Sequence, residues 1–176
     1  MLLSNEHITL RALEPEDLEL IYKWENDSRW WTQGNTLAPY SRTTLRRYIN
    51  ETQQTDIYES KQLRLMVTLN ENSVTVGIID IYDFDLRNSK AGVGILIDDN
   101  YRNRGLALQS LNLLKGYAFD FLRIHQLYAL IAVSNEPSRK VFENAGYKPA
   151  GVLKDWVAQG LDFEDVVLVQ LTSYEE

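Results

Sequence analysis

The stretch that decides the fold of this chain reads Ile95-Leu96-Ile97-Asp98-Asp99-Asn100-Tyr101-Arg102-Asn103-Arg104-Gly105-Leu106-Ala107. An apolar, strand-like run passes through a short polar loop into a long helical pattern. The first N–H groups of a helix have no intrahelical acceptor and lie at the positive end of its dipole, so this junction suits an anion. Gly105 permits close approach to the backbone, and Arg102 and Arg104 add positive charge. Taken alone, these residues are equally consistent with a plain loop that carries solvated arginines.

Two common phosphate-binding folds do not match this stretch. The chain has no G-x-x-x-x-G-K-[ST] pattern, which a P-loop nucleoside triphosphatase needs. The glycines of Gly92-Val93-Gly94 come before the end of the strand rather than after it. A dinucleotide-binding turn needs its glycines after the strand, so neither fold is supported.

The remaining elements can be assigned outward from this junction. Helical patterns cover residues 14–24, 44–54, 105–122 and 137–144. In the longest of these, apolar residues spaced to face a sheet run from Ala107 to Phe121. Strand patterns cover residues 7–13, 63–69, 74–84, 91–97, 126–133, 152–158 and 163–172. With no repeat or interior linker, residues 1–176 are predicted to form one mixed α/β domain with about seven strands and about four helices.

Composition limits the function. The 18 Lys and Arg residues against 25 Asp and Glu residues give a net charge of −7, which disfavours nucleic-acid binding and suits a cationic small substrate. The same acidity is equally consistent with a role in solubility alone. The chain has no cysteine, so a thiolate metal site and a thioester on the protein are excluded. No apolar run reaches the roughly 20 residues that span a bilayer, and no export signal is present. We therefore expect a cytoplasmic protein without membrane or metal.

A second motif turns the anion site into a more specific hypothesis. The segment Arg102-x-x-Gly105-x-Ala107 resembles the [Q/R]-x-x-G-x-[G/A] signature of the GNAT superfamily of N-acetyltransferases. The segment from Asn135 to Tyr147 resembles the motif N-x-x-[AS]-x-x-[LV]-[YF]-E-x-x-G-[FY] of that family. Both motifs occur in the family's order, and the likeness is to the branch of ribosomal-protein N-terminal acetyltransferases and spermidine N-acetyltransferases.

The resemblance implies the GNAT fold, with a mixed, mostly antiparallel twisted sheet, and a site for acetyl-CoA, the co-substrate of the family. Strands four and five would separate, and the pantetheine arm would lie between them beside the backbone of Leu96 and Ile97. The pyrophosphate would bind the N–H groups of residues 102–107, which are Arg102, Asn103, Arg104, Gly105, Leu106 and Ala107. Asn135 and Ser138 would lie along the arm, and Lys140 would reach a phosphate. Alternatively, Asn135 caps the helix that follows and Lys140 is a solvated lysine.

The resemblance also implies direct attack of an amine on the thioester, without a protein nucleophile. Many relatives carry a tyrosine acid where this chain has Phe142, which has no proton to donate. The ribosomal-protein branch uses a serine at the place of Ser138, so Ser138 is the leading donor, with Tyr147 and Tyr128 in reserve. Asp80 is the candidate general base, although a strand carboxylate can simply face solvent.

The sequence leaves three functions open, of which one, an antibiotic-modifying enzyme, shares the chemistry of an N-acetyltransferase and differs only in the acceptor. The first is an acetyl-CoA-dependent N-acetyltransferase whose acceptor is a small amine, a polyamine, or a peptide or protein N-terminus. The second is a CoA-binding sensor or regulatory protein without turnover, which the loss of the acid at Phe142 favours. In each case the chain could form a homodimer, and Trp30 and Trp31 lie in the loop that shapes the acceptor pocket in the family.

Overall fold

The computed structural model describes residues 2–31 and 36–173, and shows a single sheet with helices on both faces. Residue 1, residues 32–35 and residues 174–176 lie outside the described residues. The seven strands are β1 (Ile8–Ala12), β2 (Leu63–Leu69), β3 (Thr75–Asp85), β4 (Lys90–Ile97), β5 (Gln126–Ala132), β6 (Lys148–Gln159) and β7 (Asp162–Thr172). The predicted number of strands is therefore confirmed.

The order of the strands across the sheet is β1-β2-β3-β4-β5-β7-β6. All neighbouring strands are antiparallel except β4 and β5, which are parallel. A parallel pair needs a crossover connection, and the helical segment after the phosphate-loop candidate supplies it. The predicted mixed, mostly antiparallel sheet is thus confirmed, and the parallel pair lies at its centre.

The helices form one layer on each face of the sheet. Five α-helices occur in the described part of the chain: α1 (Leu18–Glu25), α2 (Arg42–Thr52), α3 (Ile57–Ser60), α4 (Leu106–Gly116) and α5 (Glu136–Asn144). Helices α1 and α2 cover one face, where their apolar residues pack on Met66, Ile78 and Leu96. We call this the α1 face. Helices α4 and α5 pack in the larger core on the opposite face, which we call the α4 face.

The parallel pair of strands separates soon after it forms. Only Lys90, Ala91 and Gly92 of β4 pair with β5, opposite Gln126, Leu127 and Tyr128. Both strands continue for several residues beyond these pairs, to Ile97 and Ala132. A wedge-shaped gap therefore opens between β4 and β5. Its closed end lies at Gly92 and Tyr128, and its open end meets the loop before α4.

Two details of the helices differ from the sequence-based expectation. The long helix predicted over residues 105–122 ends as an α-helix at Gly116 and continues as a π-helical segment from Tyr117 to Phe121. Because a π-turn holds more residues than an α-turn, the phase of the apolar stripe shifts, and Phe121 is 65% exposed instead of facing the sheet. The short α3 was not predicted, since four residues are too few to show a helical period.

Candidate functional site

The loop between β4 and α4 has the geometry of an anion-binding helix start. Gly105 precedes α4 with a φ of 71°, a left-handed conformation that glycine adopts without a steric penalty. The first hydrogen bond of the helix runs from the N–H of Gln109 to the carbonyl of Gly105. The N–H groups of Leu106, Ala107 and Leu108 therefore have no acceptor within the helix and are available to a ligand.

The two arginines of this loop are held over aromatic rings. Arg102 lies 4.5 Å from the centre of the Trp30 ring, donates from Nε to the carbonyl of Ile97 at 3.2 Å, and pairs with Asp99 at 3.1 Å. Arg104 lies 5.2 Å from the centre of the Tyr101 ring. Both guanidinium groups thus stay beside the helix start, and Trp30 joins the loop before α2 to this site.

A buried carboxylate fixes the end of β4 to α1. Asp98 is 8% exposed, and its Oδ2 accepts hydrogen bonds from the Lys23 ammonium at 2.6 Å and from the Trp24 indole at 2.9 Å. Burial by itself would raise the pKa of Asp98, but these donors and the backbone N–H of Asn100 outweigh burial and lower the pKa to about 2. The carboxylate is therefore ionised at neutral pH and holds the loop in place.

The strand register places several side chains together on the α1 face beside the gap. Cross-strand partners share a face, and Met66, Ile78 and Leu96 form one row that packs under α1 and α2. Two residues further along, the next row on that face contains Asp80 and Gly94. The following row joins Tyr82, Gly92 and Tyr128 at the closed end of the gap.

Asp80, the predicted base, is part of an ion-pair network. Both of its carboxylate oxygens accept hydrogen bonds from Arg64, at 2.8 and 2.9 Å, and Arg64 also pairs with Glu25 at the end of α1. Two carboxylates on one guanidinium leave one negative charge unbalanced. Asp80 therefore contributes negative charge beside the gap, while its oxygens are already engaged.

The start of α5 borders the opposite side of the open end. Asn135 caps the helix by accepting a hydrogen bond from the N–H of Ser138 at 3.2 Å, so the capping role considered for Asn135 is present. Ser138 is half-buried. Lys140 is largely exposed and pairs with Glu136 at 2.8 Å, so its ammonium points along the surface of the helix.

Phe142 occupies a buried position one turn further along α5. Its ring packs edge-to-face on Tyr147, with the ring centres 4.9 Å apart. Tyr147 is 2% exposed, and its hydroxyl has no hydrogen-bond partner among the described residues. Tyr128 packs edge-to-face on Tyr82 instead, with ring centres 6.2 Å apart. Tyr147 and Tyr128, the two alternative donors, thus lie in different environments.

Within residues 2–31 and 36–173, no group of three His, Asp or Glu residues is arranged to hold a metal ion. No helix of this part of the chain is long and apolar enough to cross a membrane.

The split strands and the helix start agree with the comparisons with known proteins. The family model of the acetyltransferase (GNAT) domain matches residues 7–148. The chain belongs to the GNAT acetyltransferase family. The prediction of an N-acetyltransferase with this fold is confirmed at that level.

The individual relatives fall in the predicted branch of the family. YdaF of Bacillus subtilis, named a putative ribosomal N-acetyltransferase, is 28% identical, and the match covers 97% of this chain and 94% of that protein. The spermidine N(1)-acetyltransferase of Vibrio cholerae is 25% identical over 85% of this chain and 83% of that enzyme. A crystal structure of a spermidine N-acetyltransferase from Vibrio cholerae with CoA and spermine superposes with a TM-score of 0.83 at 24% identity, covering 96% of each chain.

Several residues around the site were not predicted from the sequence. Trp24 and Lys23 lie within the helical pattern of residues 14–24, and a helical period does not show which residues bond a distant carboxylate. Tyr82 was part of a strand without a role. A signal for Tyr82 was present in Gly92-Val93-Gly94, since glycines inside a strand often mark close approach by another group.

The Asp98 network gives a pH dependence with a definite sign. Because the pKa of Asp98 falls from its ordinary value of 3.8 to about 2 on folding, the stabilisation is complete above about pH 4 and is lost as the pH falls towards 2. We expect Asp98→Asn to lower the free energy of unfolding by about 1–3 kcal/mol at pH 7. The difference in the free energy of unfolding between this variant and the wild type, measured by urea unfolding, should become smaller between pH 4 and pH 2. Asp162→Asn, at an exposed position, is the control. A difference that stays constant down to pH 2 would contradict this role.

Proposed function

We propose that this protein is an acetyl-CoA-dependent N-acetyltransferase whose acceptor is an amine that carries a further positive charge. The observation that carries the proposal is the gap between β4 and β5, which opens directly onto the helix start at Gly105. A strand edge with unpaired backbone groups can bind the amide groups of an extended arm, and the helix start can bind its pyrophosphate.

The residues present fit this co-substrate. At the open end, the free N–H groups of Leu106 and Ala107 and the absence of a side chain at Gly105 would admit a phosphate. Arg102 and Arg104 would add charge-assisted hydrogen bonds. The pantetheine arm would then run along the gap past Leu96 and Ile97 towards Gly92. Because Lys140 is paired with Glu136, we assign it at most a peripheral contact to a phosphate.

The reaction follows from what lies at the gap. The amine nitrogen forms a bond to the acyl carbon, the carbon–sulfur bond breaks, and its electron pair goes to sulfur. Ser138 would donate a hydrogen bond to the departing sulfur, and the proton lost from nitrogen would pass to water. A thiol with a pKa near 8.5 can depart as a thiolate, so full protonation during bond breaking is not required.

The role of Asp80 changes once its partners are known. Both oxygens of Asp80 already accept hydrogen bonds from Arg64, which ties this carboxylate to the ion-pair network. We therefore propose that Asp80 and Glu25 attract and orient the acceptor ammonium, and that a water molecule beside them receives the proton. This assignment keeps Asp80 in the acceptor site and replaces direct base catalysis by electrostatic attraction.

The charges near the closed end favour a cationic acceptor. Burial raises the pKa of Tyr128, and the nearby charges of Asp83 and Asp85 raise it further, so both carboxylates act on this end of the gap. The Arg64 network adds one unbalanced negative charge on the same face. The proposal thus agrees with the net charge of −7 and with the acceptors named for the spermidine acetyltransferase relatives.

A CoA-binding sensor without turnover is the second candidate, and Phe142 is the observation that favours it. The expected outcome that separates the two is thiol release from acetyl-CoA in the presence of amines. We expect spermidine to give a kcat/KM about tenfold above that of butylamine, because spermidine carries a further positive charge that the carboxylates of the site attract, whereas butylamine carries a single amine. A tenfold change corresponds to about 1.4 kcal/mol. Added salt should reduce the advantage of spermidine. Binding of acetyl-CoA without thiol release on any polyamine, monoamine or peptide would establish the sensor.

The cofactor loop is tested by Gly105→Glu. A side chain at this left-handed position introduces strain, and its carboxylate would repel a phosphate at the helix start. We expect the affinity for acetyl-CoA, measured by calorimetry, to fall at least a hundredfold. Gly160→Glu is the matched control, since Gly160 has a φ of 64° with no atom near its missing Cβ. Equal affinities of the two variants would exclude this loop as the phosphate site.

The donor role of Ser138 is tested by Ser138→Ala and Ser138→Thr. We expect alanine to lower kcat about tenfold or more with little change in the affinity for acetyl-CoA, because the lost hydrogen bond forms only as charge develops on sulfur. Threonine keeps the hydroxyl and should retain most of the rate. If alanine leaves kcat unchanged, Ser138 is not the donor.

A further inference from the structure

The ring of Tyr82 lies flat on the backbone of β4 at the closed end of the gap. Tyr82 pairs with Gly92 across β3 and β4, and a Cβ at Gly92 would overlap the Tyr82 ring. A Cβ at Gly94 would lie 3.8 Å from the same ring. The two glycines therefore let an aromatic side chain cross β4 in direct contact with its backbone, an arrangement that any larger residue at Gly92 prevents.

This placement carries the hydroxyl of Tyr82 to the point where β4 and β5 separate. Neighbouring strands lie about 4.7–4.9 Å apart, and a tyrosyl side chain is longer than this spacing. With its ring above Gly92, the hydroxyl is directed away from β3 and towards β5. On the far side the ring contacts Tyr128, the last residue of β5 that pairs with β4. The hydroxyl thus lies above the closed end of the gap.

The hydroxyl of Tyr82 is available as a donor. It makes no hydrogen bond to any of the described residues. Burial, followed by the charge of neighbouring groups, raises the pKa of Tyr82 to about 12, so the hydroxyl keeps its proton throughout the physiological range. Because that pKa lies well above the value near 8.5 of a free thiol, Tyr82 would donate a hydrogen bond without transferring its proton to a thiolate.

We propose that the hydroxyl of Tyr82 donates a hydrogen bond to the sulfur of the acyl-CoA thioester, and so stabilises the charge that develops on sulfur when the carbon–sulfur bond breaks. This inference rests on the proposed function, since it requires the pantetheine arm in the gap. The electron pair of the broken bond stays on sulfur, and Tyr82 remains protonated. The thiolate later takes a proton from solvent.

Apart from that of Tyr128, the other hydroxyls near the gap lie on the opposite face of the sheet from Tyr82 or are sealed from a ligand. Ser138 belongs to α5, on the α4 face, and would donate to the sulfur from that side, whereas Phe142, one turn further along the same helix, has no donor. The hydroxyl of Tyr147 is sealed from solvent, so a ligand in the gap cannot touch it without a rearrangement. Tyr82 supplies a donor at the closed end from the α1 face, opposite Phe142.

The direct test is the pKa of the thiol of bound CoA, followed by the ultraviolet absorbance of the thiolate during a pH titration. A hydrogen bond to the thiolate lowers this pKa, so we expect the wild-type complex to titrate below free CoA. Tyr82→Phe keeps the ring on Gly92 and removes only the hydroxyl. We expect it to raise the pKa of the bound thiol by about one unit, a tenfold change in ionisation, with the affinity for acetyl-CoA nearly unchanged.

Matched variants separate this proposal from the alternatives. Tyr128→Phe removes the neighbouring hydroxyl, and Tyr147→Phe removes the sealed one; both should leave the thiol pKa within a few tenths of a unit of the wild type. The proposal is overturned if Tyr82→Phe titrates like the wild type, or if Tyr128→Phe raises the pKa as much. Absence of CoA binding by the wild-type protein would instead refute the proposed function, and this outcome is visible before any titration. In the amine assay, kcat of Tyr82→Phe should fall about tenfold with KM for acetyl-CoA unchanged.

Discussion

The ionised carboxylate of Asp98 is the interaction on which the arrangement of the site depends. It ends the central strand β4, receives hydrogen bonds from Lys23 and Trp24 of α1, and orders the turn that leads to Gly105. A buried charge is stable only when it is fully hydrogen-bonded, so the carboxylate requires α1 and the loop to occupy fixed positions relative to each other. The same contact therefore fixes the position of the start of α4, where we propose that a phosphate binds. It also fixes the position of α1, whose last residue, Glu25, we propose to attract the acceptor.

The separation of β4 from β5 sets a second constraint, because it leaves strand edges without partners inside the sheet. Unpaired backbone groups in the middle of a protein are costly unless another molecule or water satisfies them. The sheet tolerates the gap because β4 stays paired with β3, apart from one irregularity between Tyr82 and Asp85, and β5 pairs with β7 along its whole length. Stability is thus supplied by the antiparallel neighbours, and the parallel edges are left for a ligand.

The sequence is sufficient to predict the architecture and the loop before α4. It is insufficient to predict the contacts between elements that are distant in the chain. Strand patterns predict all seven strands, and the junction at Gly105 is evident in the sequence alone. The π-helical segment that exposes Phe121 was missed, because a change of helical pitch leaves no mark in a short apolar pattern. The pairing of Arg64 with Asp80 and Glu25 was missed for another reason. Those residues are adjacent only through strand register and helix packing, which a linear pattern does not encode.

Phe142 stands where the family resemblance implies a tyrosine acid, and the consequence of this difference depends on where charge develops. A thiolate is a stable leaving group at neutral pH, so the energetic need at sulfur is for a hydrogen bond rather than for a proton. Such a bond can come from any direction that reaches the sulfur, whereas proton delivery needs a group that is subsequently reprotonated. Loss of a hydroxyl on α5 can therefore be offset by a hydroxyl on β3, provided that a ring can lie across β4. Gly92 meets that condition. The chemistry proposed for the gap thus gives a reason for a glycine in a buried strand.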